Sequence, residues 1–262
     1  MKKDYHIHAM ILRDSVDSEQ FILQAIAKGF AEICITDHMP LSCSNAKDRI
    51  PAGQVAAYCR SVEALAAKYE DRIRIKCGIE VDFHPSVMGE IEEVLRCGRF
   101  DYVLGSSHLH VFKALGYFAP GATRSGYTRA MLENTRLAAE SGLFSAIAHI
   151  DMYRWIFSEP DRFPLTDDGF SVNALRETAE DTLHAIRSNG LLLEINPHFA
   201  EHTGRVEDTY PAADLARWAQ TLGLRFCYGS DAHIPEHVGT LYDALRTHPL
   251  YAEPLAQWEA LV

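Results

Sequence analysis

The sequence predicts an α/β fold built as a barrel of seven parallel strands, and three observations support that prediction. Short runs of apolar, often β-branched residues alternate with longer segments of helical spacing, and this unit occurs seven times. An open doubly wound sheet usually carries a glycine-rich phosphate loop after its first strand, but the sequence has no G-x-G-x-x-G or G-x-x-x-x-G-K motif. Histidine and acidic residues recur at the strand ends, where such barrels place their functional sites.

The element assignment follows from this alternation. The predicted strands are residues 4–8, 32–37, 73–83, 102–107, 145–150, 191–196 and 225–231. The predicted helices are residues 18–28, 53–69, 87–97, 126–141, 171–188, 212–222 and 236–246. Several helices end on a glycine, such as Gly29, Gly142 and Gly190, as is typical of helix termini. Because a helix follows each strand, we expect right-handed crossovers between neighbouring parallel strands.

Composition narrows the class of protein. The chain has 262 residues, 47% of them hydrophobic, and no linker-like segment, so we expect one barrel domain over residues 1–262. A formal net charge of −11 without a basic stripe argues against nucleic acid as the main partner. Without a signal-like start or a long apolar run, we expect a cytoplasmic protein with no membrane partner. The six scattered cysteines are expected to be buried free thiols, and the oligomeric state is not indicated.

The strand ends concentrate residues that bind metals. The first strand reads D-Y-H-I-H, and strand alternation puts His6 and His8 on one face. Comparable residues at or just after the other strand ends and in the first loop are Asp14, Asp37, His38, Glu80, His108, His149, Glu194, Asn196, Asp231 and His233. A lone histidine at a strand end is usually a satisfied polar residue. Convergence of this many at one barrel mouth instead favours a metal cluster, because unpaired charges there would be costly to desolvate.

The ordered motifs also resemble a known family. H-x-H, T-D-H, G-I-E, G-S-x-H, A-H-x-D and G-S-D-A-H resemble the polymerase and histidinol phosphatase (PHP) family of metal-dependent phosphoesterases, from residue 4 to about residue 240. The run S-D-A-H-x-P-E-x-V-G at 230–239 is most similar to the stand-alone histidinol phosphatases. The resemblance implies a distorted seven-stranded barrel with a site for two to three divalent transition metals.

The resemblance also implies a ligand set, carried over motif by motif. The first metal would be held by His6, His8, Glu80 and Asp231. The second would be held by Glu80, which bridges, with His108 and His149. The third would be held by Asp14, His38 and His233. Mixed nitrogen and oxygen ligands suit zinc, manganese or iron.

The activity implied is hydrolysis of a small phosphomonoester, with L-histidinol phosphate of histidine biosynthesis as the favoured substrate. A metal-bridged hydroxide would attack phosphorus, with Glu80 and Asp231 as catalytic ligands and Asp231 or a metal-bound water as the leaving-group acid. Arg154, after the fifth strand, fits the family's phosphate-binding arginine. A second arginine usually follows E-I-N closely, but here the text is E-I-N-P-H-F-A-E-H-T-G-R, so Arg205 is displaced. Arg205 and His198 are the remaining candidate substrate contacts.

Three other functions compete with this hypothesis. A phosphodiesterase acting on a nucleotide-type substrate would use the same ligand set and stays open. An amidohydrolase-type C–N hydrolase also begins with H-x-H and has a late aspartate, but seven units, Glu80 and the T-D-H motif argue against it. A non-catalytic metal-binding domain is disfavoured because all nine ligand positions hold suitable residues.

Overall fold

Seven parallel strands, paired in sequence order, form the centre of the molecule. The structure is a computed structural model that describes residues 1–13, 15–44 and 47–261. The strands are β1 (Lys3–Ile7), β2 (Glu32–Ile35), β3 (Arg74–Asp82), β4 (Tyr102–Ser106), β5 (Ala146–Ile147), β6 (Leu192–Ile195) and β7 (Arg225–Tyr228). This confirms the predicted fold class, a seven-stranded parallel barrel of α/β type.

The segment after β7 closes the barrel against β1. The His8 N–H donates to the Ala232 carbonyl at 2.9 Å, and the Asp231 N–H donates to the His6 carbonyl at 2.8 Å. These bonds bring residues from the two ends of the sequence together at the carboxyl end of the strands. The first and last metal-type motifs therefore become neighbours.

The helices lie outside the sheet. In the described part of the chain they are α1 (Glu19–Ala27), α2 (Val55–Lys68), α3 (Met88–Cys97), α4 (Leu109–Ala114), α5 (Arg124–Glu140), α6 (Tyr153–Ser158), α7 (Arg176–Ser188), α8 (His198–Thr203), α9 (Ala213–Thr221), α10 (Tyr242–Leu245) and α11 (Ala252–Ala260). Helices α1, α2, α3, α5, α7 and α9 coincide with predicted helices. Helices α4, α6, α8 and α11 were not predicted. Among the described residues, none of these helices is both long and apolar enough to cross a membrane.

The predicted helix over residues 236–246 is wrong. A 3₁₀ turn occupies Pro235–His237, and α10 begins only at Tyr242. Gly239 and Leu241 both adopt left-handed backbone, with φ of 68° and 54°, which interrupts the helix between them. The Gly239 N–H donates instead to the buried carboxylate of Asp4 at 3.0 Å.

The core has two parts. The main apolar core lies between the sheet and the helices, and strand residues such as Ile33, Leu104 and Leu193 are fully buried in it. A smaller cluster, here called the aromatic cap, consists of Phe112, Tyr127, Met131, Tyr153, Ile156, Phe163 and Leu165. Four cysteines are buried free thiols as expected, but Cys43 and Cys97 are exposed, so that expectation is wrong for two positions.

Candidate metal centre

Glu80 lies at the centre of a buried cluster at the carboxyl ends of the strands. Its side chain, on β3, is fully buried. His6 Nε2 and His8 Nε2 lie 3.4 and 3.5 Å from Oε2. His108 Nε2 and His149 Nε2 lie 3.3 and 3.1 Å from Oε1. Each oxygen of this carboxylate therefore faces imidazole nitrogens, which is the arrangement that a bridging ligand between two ions requires.

Asp231 lies beside the pair formed by His6 and His8. Its Oδ1 lies 3.2 Å from His8 Nε2 and 3.6 Å from His6 Nε2, and the two Nε2 atoms are 2.9 Å apart. Asp231 adopts left-handed backbone, with φ of 57°, which is uncommon for a residue other than glycine. Such backbone strain is often found at functional sites, and here it accompanies a carboxylate turned toward the two histidines.

A third group is formed by His8, His38 and His233. The His8 ring stacks on the rings of His38 and His233, with centroids 4.1 and 4.3 Å away. Their nearest ring nitrogens lie within 4.8 Å of one another. Asp14, the other predicted ligand of this group, lies outside the described residues. The remaining eight predicted ligands are brought together: His6, His8, His38, Glu80, His108, His149, Asp231 and His233.

The chemistry of this donor set fits divalent metal ions. His8 Nδ1, His38 Nδ1 and Glu80 Oε2 are buried without a hydrogen-bond partner. His38 Nδ1 and Glu80 Oε2 are only 2.7 Å apart, but not in hydrogen-bonding geometry. An unpartnered buried polar group costs about 1–3 kcal/mol, and a shared ion would remove that cost. Burial, with His38 and His233 alongside, lowers the pKa of His8 well below its usual value, whereas carboxylates around His6 and His108 outweigh burial and raise the pKa values of those rings.

Strand β6 supports this cluster from behind. Glu194 Oε1 lies 2.6 Å from His6 Nδ1. Asn196 donates from Nδ2 to Glu194 Oε2 at 3.0 Å and to Asp231 Oδ2 at 3.2 Å. Sequence reasoning placed these two residues at a strand end but gave them no function. Their E-I-N pattern on a barrel strand was the available signal, since Glu194 and Asn196 share one face.

Two further supporting residues, Arg49 and Asp82, were missed. Asp82 follows Glu80 by two residues and so shares its face of β3, a signal that the strand period could have supplied. Arg49 is a lone loop arginine, and its 6% exposure is not evident from the sequence.

A cavity of about 180 Å³ opens onto the cluster. Its walls beyond the candidate ligands comprise Asp48, Arg49, Leu109, His110, Met152, Trp155, His198 and Tyr210. Leu109, Met152 and Trp155 also pack against the aromatic cap, so one wall is apolar and rigidly backed. A larger cavity of about 530 Å³ lies beside α3, and its described lining contains none of the candidate ligands.

The predicted substrate contacts lie in different places. His198 lines the cavity, and burial lowers the pKa of its imidazole to about 4. The Arg154 guanidinium binds the Asp208 carboxylate at 2.9 Å and lies over the Tyr210 ring, with its carbon 5.6 Å from the ring centre. Arg205 is 69% exposed in its side chain and lies 3.7 Å from Asp208. The substrate-binding roles of these three residues stay predictions.

Sequence comparison finds family models and relatives that match most of the chain. The family model described as PHP domain matches residues 4–198, and one described as PHP-associated matches residues 215–248. A probable histidinol-phosphatase from Deinococcus radiodurans is 32% identical over 250 residues, covering 90% of this chain and 88% of that protein. A histidinol-phosphatase from Lactococcus lactis is 26% identical, covering 89% of this chain and 85% of that protein.

Solved structures show the same fold. Histidinol phosphate phosphatase from Lactococcus lactis, complexed with zinc, L-histidinol and phosphate, superposes with a TM-score of 0.72 at 22% identity. The match covers 97% of this chain and 93% of that one. A protein described as a putative histidinol phosphatase from Listeria monocytogenes gives a TM-score of 0.71 at 20% identity, covering 93% of this chain and 99% of that one.

Proposed function

The chain belongs to the PHP domain family, and from that premise we propose that it is a metal-dependent phosphatase that converts L-histidinol phosphate to L-histidinol and phosphate. The observation that carries the proposal is the convergence of eight nitrogen and oxygen ligands on and around Glu80. The full-length similarity to proteins named histidinol-phosphatase supports the choice of substrate. The proposal makes the protein a phosphoric monoester hydrolase of histidine biosynthesis.

Divalent metal ions are the cofactor in this proposal. Their number, two or three, and their identity as zinc, manganese or iron are part of what is proposed. Glu80 would be shared between an ion on the β1 histidines with Asp231 and an ion on His108 and His149. His38 and His233 would hold the third ion, with Asp14 as the further ligand that the sequence predicts. When bound, these ions supply Lewis acidity toward phosphate oxygens and acidify water.

The protein's own residues supply position and surroundings. Glu194 Oε1 accepts a hydrogen bond from His6 Nδ1–H, which directs Nε2 of that ring into the cluster. Leu109, Met152 and Trp155 give the cavity an apolar wall against which an imidazole ring can pack. His198 lines the cavity, and its low pKa leaves the ring neutral at pH 7, so it would meet a bound substrate as an uncharged hydrogen-bonding group.

The test is a panel of phosphoesters assayed with protein reconstituted separately with Zn²⁺, Mn²⁺ or Fe²⁺. The panel contains L-histidinol phosphate, an aryl phosphate, a nucleotide diester and an amide. We expect kcat/KM for L-histidinol phosphate to exceed that for the aryl phosphate by about 100-fold or more. Preferred cleavage of the diester or the amide would overturn the proposal in favour of the corresponding rival.

A further inference from the structure

Arg49, Asp82 and His108 form a buried chain of contacts beside the cluster. Arg49 Nη1 donates to Asp82 Oδ2 at 2.6 Å, and Nη2 donates to Oδ1 at 3.2 Å. His108 Nδ1 lies 2.9 Å from Asp82 Oδ1. The other nitrogen of that ring, Nε2, faces Glu80 at 3.3 Å. The charge of the loop residue Arg49 is thereby linked through the Asp82 carboxylate to His108, a candidate metal ligand.

Asp82 is engaged as a hydrogen-bond acceptor, and one of its oxygens also lies within 4.8 Å of ring nitrogens of His38 and His108. It is fully buried, and both of its oxygens receive a guanidinium N–H. In the neutral, metal-binding form of the ring, a carboxylate facing Nδ1 makes that nitrogen the protonated one and leaves the lone pair on Nε2, toward Glu80.

The hydroxyl of Ser106 does not change which nitrogen of His108 carries the proton. Ser106 Oγ lies 3.1 Å from His108 Nδ1, but it also donates its own hydrogen to the Val81 carbonyl at 3.2 Å. It can therefore only accept from His108, as Asp82 does. Both contacts require the same tautomer, and the ionised carboxylate makes the stronger one.

Arg49 is itself held against the segment that follows β2 and carries another candidate ligand, His38. Its Nη1 donates to the Met39 carbonyl at 2.9 Å. The Ile50 N–H donates to the His38 carbonyl at 2.9 Å, which pairs the Arg49 segment with the end of β2. These bonds and the contact with Asp82 hold the guanidinium from two sides. Removing one partner of such a buried ion pair is strongly unfavourable.

We propose that Arg49 and Asp82 are positioning residues that fix the tautomer and orientation of His108, and through it the binding of the ion shared by Glu80, His108 and His149. The inference rests on the proposed function, since it concerns one of the proposed metal sites. Loss of an outer partner of a metal-binding histidine typically costs about 10–100-fold in metal affinity or activity. We expect that loss for one ion, with the others unaffected.

The experiment compares Asp82→Asn and Arg49→Met with the unaltered protein. Zn²⁺ affinity is measured by competition with a chromophoric chelator, and Co²⁺ absorption spectra report the ligand geometry. One ion should bind about 10–100-fold more weakly in each variant, with a changed Co²⁺ spectrum. For Asp82→Asn, excess metal should recover kcat, and KM should stay unchanged because Asp82 does not line the cavity.

Three comparisons separate positioning from general loss of structure. Arg136→Met removes a surface arginine paired with Glu140 at 2.7 Å and should alter neither affinity nor spectrum. The Asp82→Asn/Arg49→Met double variant should be no worse than Asp82→Asn alone, because the two residues act in series. Adding Glu194→Gln to Asp82→Asn should instead weaken a second ion, the one on His6.

The outcomes distinguish this inference from the proposed function. If the unaltered protein binds metal and hydrolyses the phosphomonoester while both variants keep all affinities, the inference is wrong and the function stands. If the unaltered protein binds no metal, both are wrong. Arg49→Lys, which keeps the charge but loses the two-pronged contact, should fall between the unaltered protein and Arg49→Met. It also provides the affinity measurement if Arg49→Met does not fold.

Discussion

Glu80 and the residues around it show how the charge of a single side chain organises this site. Its two oxygens lie 3.1–3.5 Å from the Nε2 atoms of four histidines carried by three different strands or strand ends. Glu80→Gln keeps the size but removes the charge and one acceptor. We expect two ions to bind more weakly. Activity should fall by more than about 100-fold, which is the loss typical of removing an outer partner of a metal ligand.

Elemental analysis and steady-state kinetics on the Glu80→Gln variant test this prediction, and circular dichroism checks that the barrel is intact. The ion assigned to His38 and His233 should still bind. Full metal content together with near-normal kcat/KM would remove β3 from the site.

It is a question at the residue scale whether Arg154 contributes to activity, because its guanidinium already binds the Asp208 carboxylate and the backbone carbonyls of Asp208 and Thr209. Arg154→Ala should lower kcat/KM by about 10–100-fold, equivalent to roughly 1.5–3 kcal/mol for a charge-assisted contact. Metal content should not change. Arg136→Ala, on the surface of α5, is the matched control. An unaltered kcat/KM for Arg154→Ala would leave this arginine with the structural contacts alone.

At the scale of elements, the sequence predicted features that follow from the local spacing of residues and missed features that depend on contacts between elements. Strand alternation correctly put His6 and His8 on one face, because a residue's face follows from its position in the strand. Helices α4, α6 and α8 have six residues each, too short for a period of 3.6 to show. Arg49 could not be identified from the sequence, because its role depends on a tertiary contact with a buried partner and not on a local pattern.

The broken helix at Gly239 gives an element-scale prediction. Gly239→Ala would force a side chain into left-handed backbone and place its Cβ against the Phe30 ring. We expect a loss of about 1–3 kcal/mol in the free energy of unfolding, measured by chemical denaturation. Gly169→Ala is the control, because it has φ of 74° and no atom within 4 Å of the added Cβ. Equal losses in the two variants would show that the Phe30 contact contributes nothing.

At the scale of the whole molecule, closure of the barrel is what assembles the site. His6 and Asp231 come from opposite ends of the sequence and meet only when the segment after β7 bonds to β1. The cluster that results holds several ionisable groups with little or no exposure. Without ions these groups lack their proposed partners, so metal binding and folding should be coupled.

Metal removal therefore should lower thermal stability. An ion that binds only the folded chain stabilises it by about 2.7 kcal/mol at 100 times its Kd. For a domain of this size each kcal/mol shifts Tm by roughly 2–4 °C, so stripping one such ion with a chelator should lower Tm by about 5–11 °C. Calorimetry with and without chelator measures the shift, and added Zn²⁺ or Mn²⁺ should restore it. Glu80→Gln should respond less to the chelator, because it begins with weakened sites. A Tm that is insensitive to the chelator in the metal-loaded protein would show that the ligand cluster is stable without ions and that metal binding and folding are not coupled.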